Sequence, residues 1–220
     1  MPINAAIILA GGIGSRLNSS IPKQFQKLMN NRRIIDYSVK KFLQNHKIND
    51  VIIVCQKDWL DIIKKEYPEC IVVKGGLTRQ QSSFIGIKAC PKNIDNVLIH
   101  DSARPFVTEN MINDSIEMLK QYDAVNISVP SSDTVINVKK EMINLVLDRK
   151  EIYLSQTPQS FKYDTILKAH NKSNDNTASD DIQLVRNLDV ECYNIIGSRD
   201  NIKITQQLDM SIAESLIDKK

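Results

Sequence analysis

The sequence predicts an α/β protein built on a mainly parallel sheet with helices on both faces. Apolar runs of strand length recur at residues 5–9, 51–54, 71–73, 97–99, 124–129 and 190–195, several of them nearly unbroken, as in strands covered on both sides. Between them, apolar residues fall at helical spacing: Ile35, Val39 and Phe42, then Ile112, Ile116 and Leu119, then Leu208, Ile212 and Leu216. Glycine is concentrated too. Gly11, Gly12, Gly14, Gly75 and Gly76 all follow predicted strands, which puts pliable loops at the carboxyl ends, where sheets of this kind bind ligands.

In order along the chain, strand 5–9 leads into the first glycine loop and strand 71–73 into the second. Trp59 and the Lys64, Lys65, Glu66 cluster belong to an amphipathic helix with a solvated face. After Pro130 the rhythm breaks: residues 133–138 and 143–147 are β-rich and joined by the charged turn Lys139, Lys140, Glu141, which predicts a protruding β-hairpin arm at about 131–149. A hairpin with no helix of its own is marginal alone, so a second subunit is expected to cover it. The polar stretch 171–177 is the one long loop expected. No internal repeat divides the chain, and its 220 residues are expected to form a single domain.

Charge and cysteine usage exclude several functions. A net charge of +3, evenly spread, is too weak to argue for nucleic acid or a membrane surface, so a small partner, or none, is expected. Cys55, Cys70, Cys90 and Cys192 never fall in a CxxC spacing and read as reduced core thiols. The opening MPINAAIILAGG lacks a basic n-region, and its apolar run is too short for a span. The expected location is the cytoplasm.

The first glycine cluster, LAGGIGSR, is followed by PKQF. It is neither a P-loop nor a dinucleotide fingerprint, since no Gly-Lys-Ser/Thr closes it and the third glycine is missing. Its backbone can still come close to an anion, and Arg16 and Lys23 add the two cations that phosphoryl or nucleotidyl transfer needs to offset charge on the attacked phosphorus and on departing pyrophosphate. A tight β-to-α turn with solvated basic residues is the alternative.

LAGGIGSR with PKQF, then GGLTRQQSS, IHDSARPF, the Asp133-Thr134 pair, LDRKEIYLSQTPQSF and GSRDNIKIT, closely resemble in order the motifs of the polyol-phosphate cytidylyltransferases, chiefly the 2-C-methyl-D-erythritol 4-phosphate cytidylyltransferase family, over about residues 3–210. The resemblance implies a Rossmann-like nucleotidyltransferase sheet, CTP and a polyol phosphate as substrates, Mg²⁺ as cofactor, and a homodimer exchanging arms. In it, Ala10, Gly11, Gly12 and Gly14 would hold the triphosphate, while Arg16 and Lys23 stabilise the pentacoordinate phosphorus. Gly75, Gly76, Arg79 and Ser82 would recognise the cytosine and ribose, although Ser82 and Ser83 also suit helix capping.

Asp101 follows a predicted strand and would anchor Mg²⁺, a hard ion that prefers oxygen; a structural pair with Arg104 is the alternative. Ser102 and Arg104 share its motif, with Ser102 standing where the family has alanine. His100 alone carries no role. Arg149 and Lys203 would hold the acceptor phosphate in line with the α-phosphorus, Arg149 from the partner subunit, and Thr134 and Thr157 are matching polar contacts. Asp180 and Asp181 read as first-turn residues favoured by a helix dipole. The family's Thr-Asp-Asp pattern is interrupted there, since Ala178 and Ser179 separate Thr177 from Asp180. LAGGIGSR leans toward enzymes acting on ribitol 5-phosphate, whereas GSRDNIKIT and TRQQSS lean toward the erythritol branch. A catalytically silent nucleotide-binding protein is the rival from another class, and the presence of both Arg16 and Lys23 argues against it.

Overall fold

A computed structural model describes residues 2–12, 21–173 and 178–218. Among these, seven strands form one sheet: β1 (Asn4–Ala10), β2 (Asp50–Cys55), β3 (Ile71–Lys74), β4 (Asn96–Asp101), β5 (Ala124–Pro130), β8 (Tyr153–Lys162) and β9 (Cys192–Ile196), in the order β3-β2-β1-β4-β8-β5-β9. All pairings are parallel except those of β8, which runs antiparallel to both β4 and β5.

The unbroken apolar runs are explained by burial on both faces. Along β1, Ala6, Ile8 and Ala10 pack into one layer, with Val39 and Phe42 of α1 (Ile34–Leu43), Ile63 of α2 (Leu60–Glu66) and Ile112 and Ile116 of α4 (Glu109–Met118). Ala5, Ile7 and Leu9 pack into the other, with Ile87 of α3 (Arg79–Lys88), Ile166 of α5 (Tyr163–Lys172) and Leu184 of α6 (Asp181–Arg186). Each large apolar side chain fully buried in this way stabilises the fold by about 1.5–3 kcal/mol. A smaller cluster seats α7 (Gln207–Ile217) through Met210 and Ala213 against Leu28, Ile34 and Phe106.

Helix α3 carries Arg79 and Ser82 of the second glycine motif, and Gly86 sets how closely it approaches the sheet. A Cβ there would collide with Ile7 Cγ2 and lie 3.0 Å from Val54 Cγ2, both in the middle of buried strands that have no room to yield. Gly86→Ala is therefore expected to cost about 1–3 kcal/mol in urea unfolding despite alanine's better helix propensity.

The hairpin arm is present as a separate two-stranded sheet, β6 (Ile136–Lys139) and β7 (Met142–Val146), leaving the main sheet after β5 and returning into β8. Its turn residues Lys140 and Glu141 have φ of 48° and 66°, the left-handed pair that a two-residue hairpin turn demands. Both strands are exposed along their whole length. Strand β8 is the element that apolar patterning misses, and the segment expected to be loop from residue 171 begins as the last turn of α5.

Candidate active site

Register brings the loops together. Leu9 lies opposite Asp101 and Ala10 opposite Cys55, while Cys55 lies opposite Lys74, so β1, β2, β3 and β4 deliver both glycine loops and the Asp101 carboxylate to one edge of the sheet.

In the first loop, Gln24 Nε2 donates to the carbonyls of Ala10 at 2.7 Å and Gly12 at 2.9 Å, and Gln56 Nε2 donates to that of Gly11 at 3.3 Å. Because C=O and the following N–H point oppositely in a trans peptide, holding the Ala10 carbonyl turns the Gly11 N–H away from Gln24. Lys23 sits half-buried on a short 3₁₀ turn, Lys23–Phe25. Phe25 stacks on Trp59 with centroids 3.8 Å apart, so the aromatic pair props up the turn. The Lys23 charge lies near enough to Asp209 to favour its ionised form. Gly14 and Arg16 fall outside the described residues.

In the second loop, Ser82 Oγ donates to the Thr78 carbonyl at 2.9 Å and accepts from the Gly76 N–H at 3.2 Å. A Cβ at Gly75 would stand 3.0 Å from that oxygen, and one at Gly11 would stand 3.2 Å from it, so Ser82 lies between the two loops. Neither Ser82 nor Ser83 caps α3. Thr78 does, accepting from the Gln81 N–H at 3.1 Å.

Asp101 is the electrostatic centre. Arg79 Nε lies 3.3 Å from its Oδ1 and Lys203 Nζ 2.7 Å from its Oδ2. Burial opposes ionisation, but Arg79, then Lys203 and Arg104, hold the carboxyl well below the usual carboxylate range. The alternative pair with Arg104 is not formed. Arg104 instead donates to the carbonyls of Asn201 at 2.7 Å and Ser155 at 3.1 Å. Ser102 sends both its N–H and its hydroxyl to the Leu9 carbonyl, at 3.1 and 2.7 Å, and so binds the exit of β4 to β1. Thr157 Oγ1 accepts from the Asp101 N–H at 3.1 Å.

His100 lies behind the site, fully buried. Its Nε2 faces the Arg104 carbonyl at 3.0 Å, which can only accept, so Nε2 carries the proton and Nδ1 accepts from the Thr157 hydroxyl at 2.9 Å. Burial lowers its pKa to about 4. A depressed folded value means that this stability is complete above the unfolded value near 6.5 and is lost as pH falls toward 4. From pH 6.5 to 5 the loss attributable to His100 is expected to be roughly 2 kcal/mol in urea unfolding, and His100→Asn should remove that slope.

Not every anticipated residue joins this cluster. Thr134 is exposed on the arm, and Arg149, at the arm's return, is exposed and donates to the Ser132 carbonyl at 3.4 Å. Among the described residues no group of three or more His, Cys, Asp or Glu side chains is arranged to hold a metal. Asp101 offers a carboxylate at the sheet edge. That suits Mg²⁺, which keeps most of its waters and takes one or two carboxylates together with substrate phosphates.

Residues 4–219 match the family described as IspD, 2-C-methyl-D-erythritol 4-phosphate cytidylyltransferase. The chain belongs to this family. The 2-C-methyl-D-erythritol 4-phosphate cytidylyltransferase of Clostridioides difficile (strain 630) is 36% identical over 221 residues, covering 97% of this chain and 93% of its own. The ribitol-5-phosphate cytidylyltransferase of Vibrio parahaemolyticus serotype O3:K6 is 34% identical over 230 residues, covering 98% and 96%. The crystal structure of the 4-diphosphocytidyl-2C-methyl-D-erythritol synthase of Anaerococcus prevotii DSM 20548 superimposes with a TM-score of 0.88 at 30% identity, covering 99% of this chain and 96% of that one.

Within this cytidylyltransferase fold, sequence reasoning overlooks two supports. Gln24 was available in the PKQF motif as a neutral donor able to reach loop carbonyls. Asp181 is more than a first-turn residue. Asp180 caps α6 by accepting from the Gln183 N–H at 2.9 Å, whereas Asp181 is fully buried and ion-paired with Arg79 at 2.7 Å.

Proposed function

We propose that the chain transfers the cytidylyl group of CTP to the phosphate of 2-C-methyl-D-erythritol 4-phosphate, giving 4-diphosphocytidyl-2-C-methyl-D-erythritol and pyrophosphate. The observation that carries this reading is the Asp101, Arg79, Lys203 cluster, assembled between two glycine loops at the carboxyl edge of the sheet in a chain of this family. An acceptor phosphate oxygen attacks the α-phosphorus as the bond to the bridging oxygen of the β-phosphate breaks. The nucleophile is already anionic, so no general base is required.

The Gly11, Gly12 and Gly14 loop holds the triphosphate, with Lys23 and Arg16 opposing its charge. Gly75, Gly76 and Ser82 receive the base and ribose; because the Gly75 and Gly76 N–H groups are held by the Cys55 carbonyl and Ser82 Oγ, cytosine is selected through loop carbonyls that accept from its amine. Asp101 would hold Mg²⁺ together with the triphosphate, where such an ion would supply charge neutralisation for departing pyrophosphate. Lys203, more than a third exposed, and Arg149 of the partner subunit orient the acceptor phosphate.

The chain is a single nucleotidyltransferase domain that works as a homodimer in the cytoplasm. Met142, Ile143 and Leu145 on the arm are each more than half exposed, apolar area that a second arm would cover. Ile143→Glu is expected to shift the dimer to monomer in sedimentation and to reduce turnover while CTP binding persists. A dimer unchanged by that substitution would remove the arm from the interface.

The substrate test is pyrophosphate release with CTP and each acceptor. Turnover is expected with 2-C-methyl-D-erythritol 4-phosphate, and activity confined to ribitol 5-phosphate, the reading favoured by the Vibrio relative, would overturn the acceptor.

A further inference from the structure

Asp181 is a fully buried carboxylate that contributes nothing to the proposed chemistry directly. It accepts from Arg79 Nη1 at 2.7 Å and Ser83 Oγ at 2.6 Å and lies 3.0 Å from His170 Nε2, while its own N–H donates to Gln159 Oε1 at 2.9 Å. These bonds gather α3, α5, α6 and β8 around one charge. Arg79 also links this knot to the site, because the same guanidinium reaches Asp101.

The two halves of that bridge are unequal. The bond to Asp181 is short and its carboxylate is 1% exposed; the bond to Asp101 is 3.3 Å and its carboxylate is 11% exposed. With Lys203 on the other oxygen, both oxygens of Asp101 face protein cations, whose charge opposes a cation bound to triphosphate unless one of them draws back. An arginine whose only partner was Asp101 would be left as an uncompensated, largely buried charge by that withdrawal, which is unfavourable. Here the guanidinium keeps a dry, hydrogen-bonded counter-charge when its Nε leaves Asp101.

We infer that Asp181 is a positioning residue: it anchors Arg79 so that Arg79 only leans on Asp101, leaving that carboxylate exchangeable for the nucleotide and its metal ion. This rests on the reading above that Asp101 meets the Mg²⁺ and CTP. Without the Asp181 charge, Arg79 has one carboxylate left and closes on it, competing with the divalent ion. The penalty therefore depends on metal concentration, which a loss of structural support would not.

The test measures binding of CTP to the full chain by calorimetry across a Mg²⁺ titration, without acceptor, for wild type, Asp181→Asn, Asp101→Asn, Arg79→Gln and the Asp181→Asn/Arg79→Gln double variant. Asp181→Asn is expected to bind CTP about tenfold more weakly at limiting Mg²⁺, as for loss of an outer partner of a metal ligand, and to recover at high Mg²⁺. A loss that ignores Mg²⁺, or no loss, overturns the inference. If Asp181→Asn does not fold, the double variant is compared with Arg79→Gln. Equal affinities, within about twofold, are expected because Asp181 acts only through Arg79, and a further tenfold loss overturns that. Wild-type, Mg²⁺-dependent binding by Asp101→Asn would sink the reading of Asp101 and this inference with it, whereas impairment of Asp101→Asn alone would sink only the inference.

Discussion

Replacing Lys23 by alanine is expected to lower turnover by about 10²-fold or more, the scale of losing one preorganised group aimed at developing charge. The fold should survive, because the turn is held by other bonds. Gln24 fastens it to the first glycine loop and Phe25 stacks on Trp59, and neither contact involves the lysine side chain. Thermal unfolding should consequently move little while pyrophosphate release from CTP collapses. Arg16→Ala should fall on the same scale. Near-normal turnover in Lys23→Ala would remove Lys23 from the chemistry.

Asp101→Asn is expected to be as damaging to turnover, by about 10²-fold or more, because a metal ion's several kcal/mol of charge stabilisation depends on the anchor. It should also lower stability, and here the surroundings set the size. Breaking an isolated buried pair costs about 3–5 kcal/mol. Arg79 retains Asp181, and the Lys203 side chain is 37% exposed and partly screened by water, so a loss nearer 1–3 kcal/mol is expected in urea unfolding. Wild-type activity in Asp101→Asn with only the stability loss would make the cluster purely structural.

The parallel core was legible because burial on both faces leaves unbroken apolar runs, as in β1 and β4. Strand β8 was not, for the opposite reason. Its sequence YLSQTPQSFK buries Gln156, Thr157 and Gln159, which find partners in Asn201, His100, Asp101, Asn126 and Asp181. Apolar patterning cannot detect a strand stabilised inside by polar cross-links. The candidate site was legible where a glycine pair and a cation share a motif, as in GGLTR, whose Arg79 meets Asp101. The Asp181 knot was hidden, since residues 79, 83, 170 and 181 meet only once three helices have packed.

The antiparallel course of β8 has a mechanical side. One ribbon begins at the foot of the arm and passes, through Thr157, against the backbone of Asp101. Whatever grips the outer end of that ribbon shares its footing with the carboxylate, so on the proposed function the mating of two copies and the seating of the reactive phosphates would rest on a common beam, and redesign of one would disturb the other.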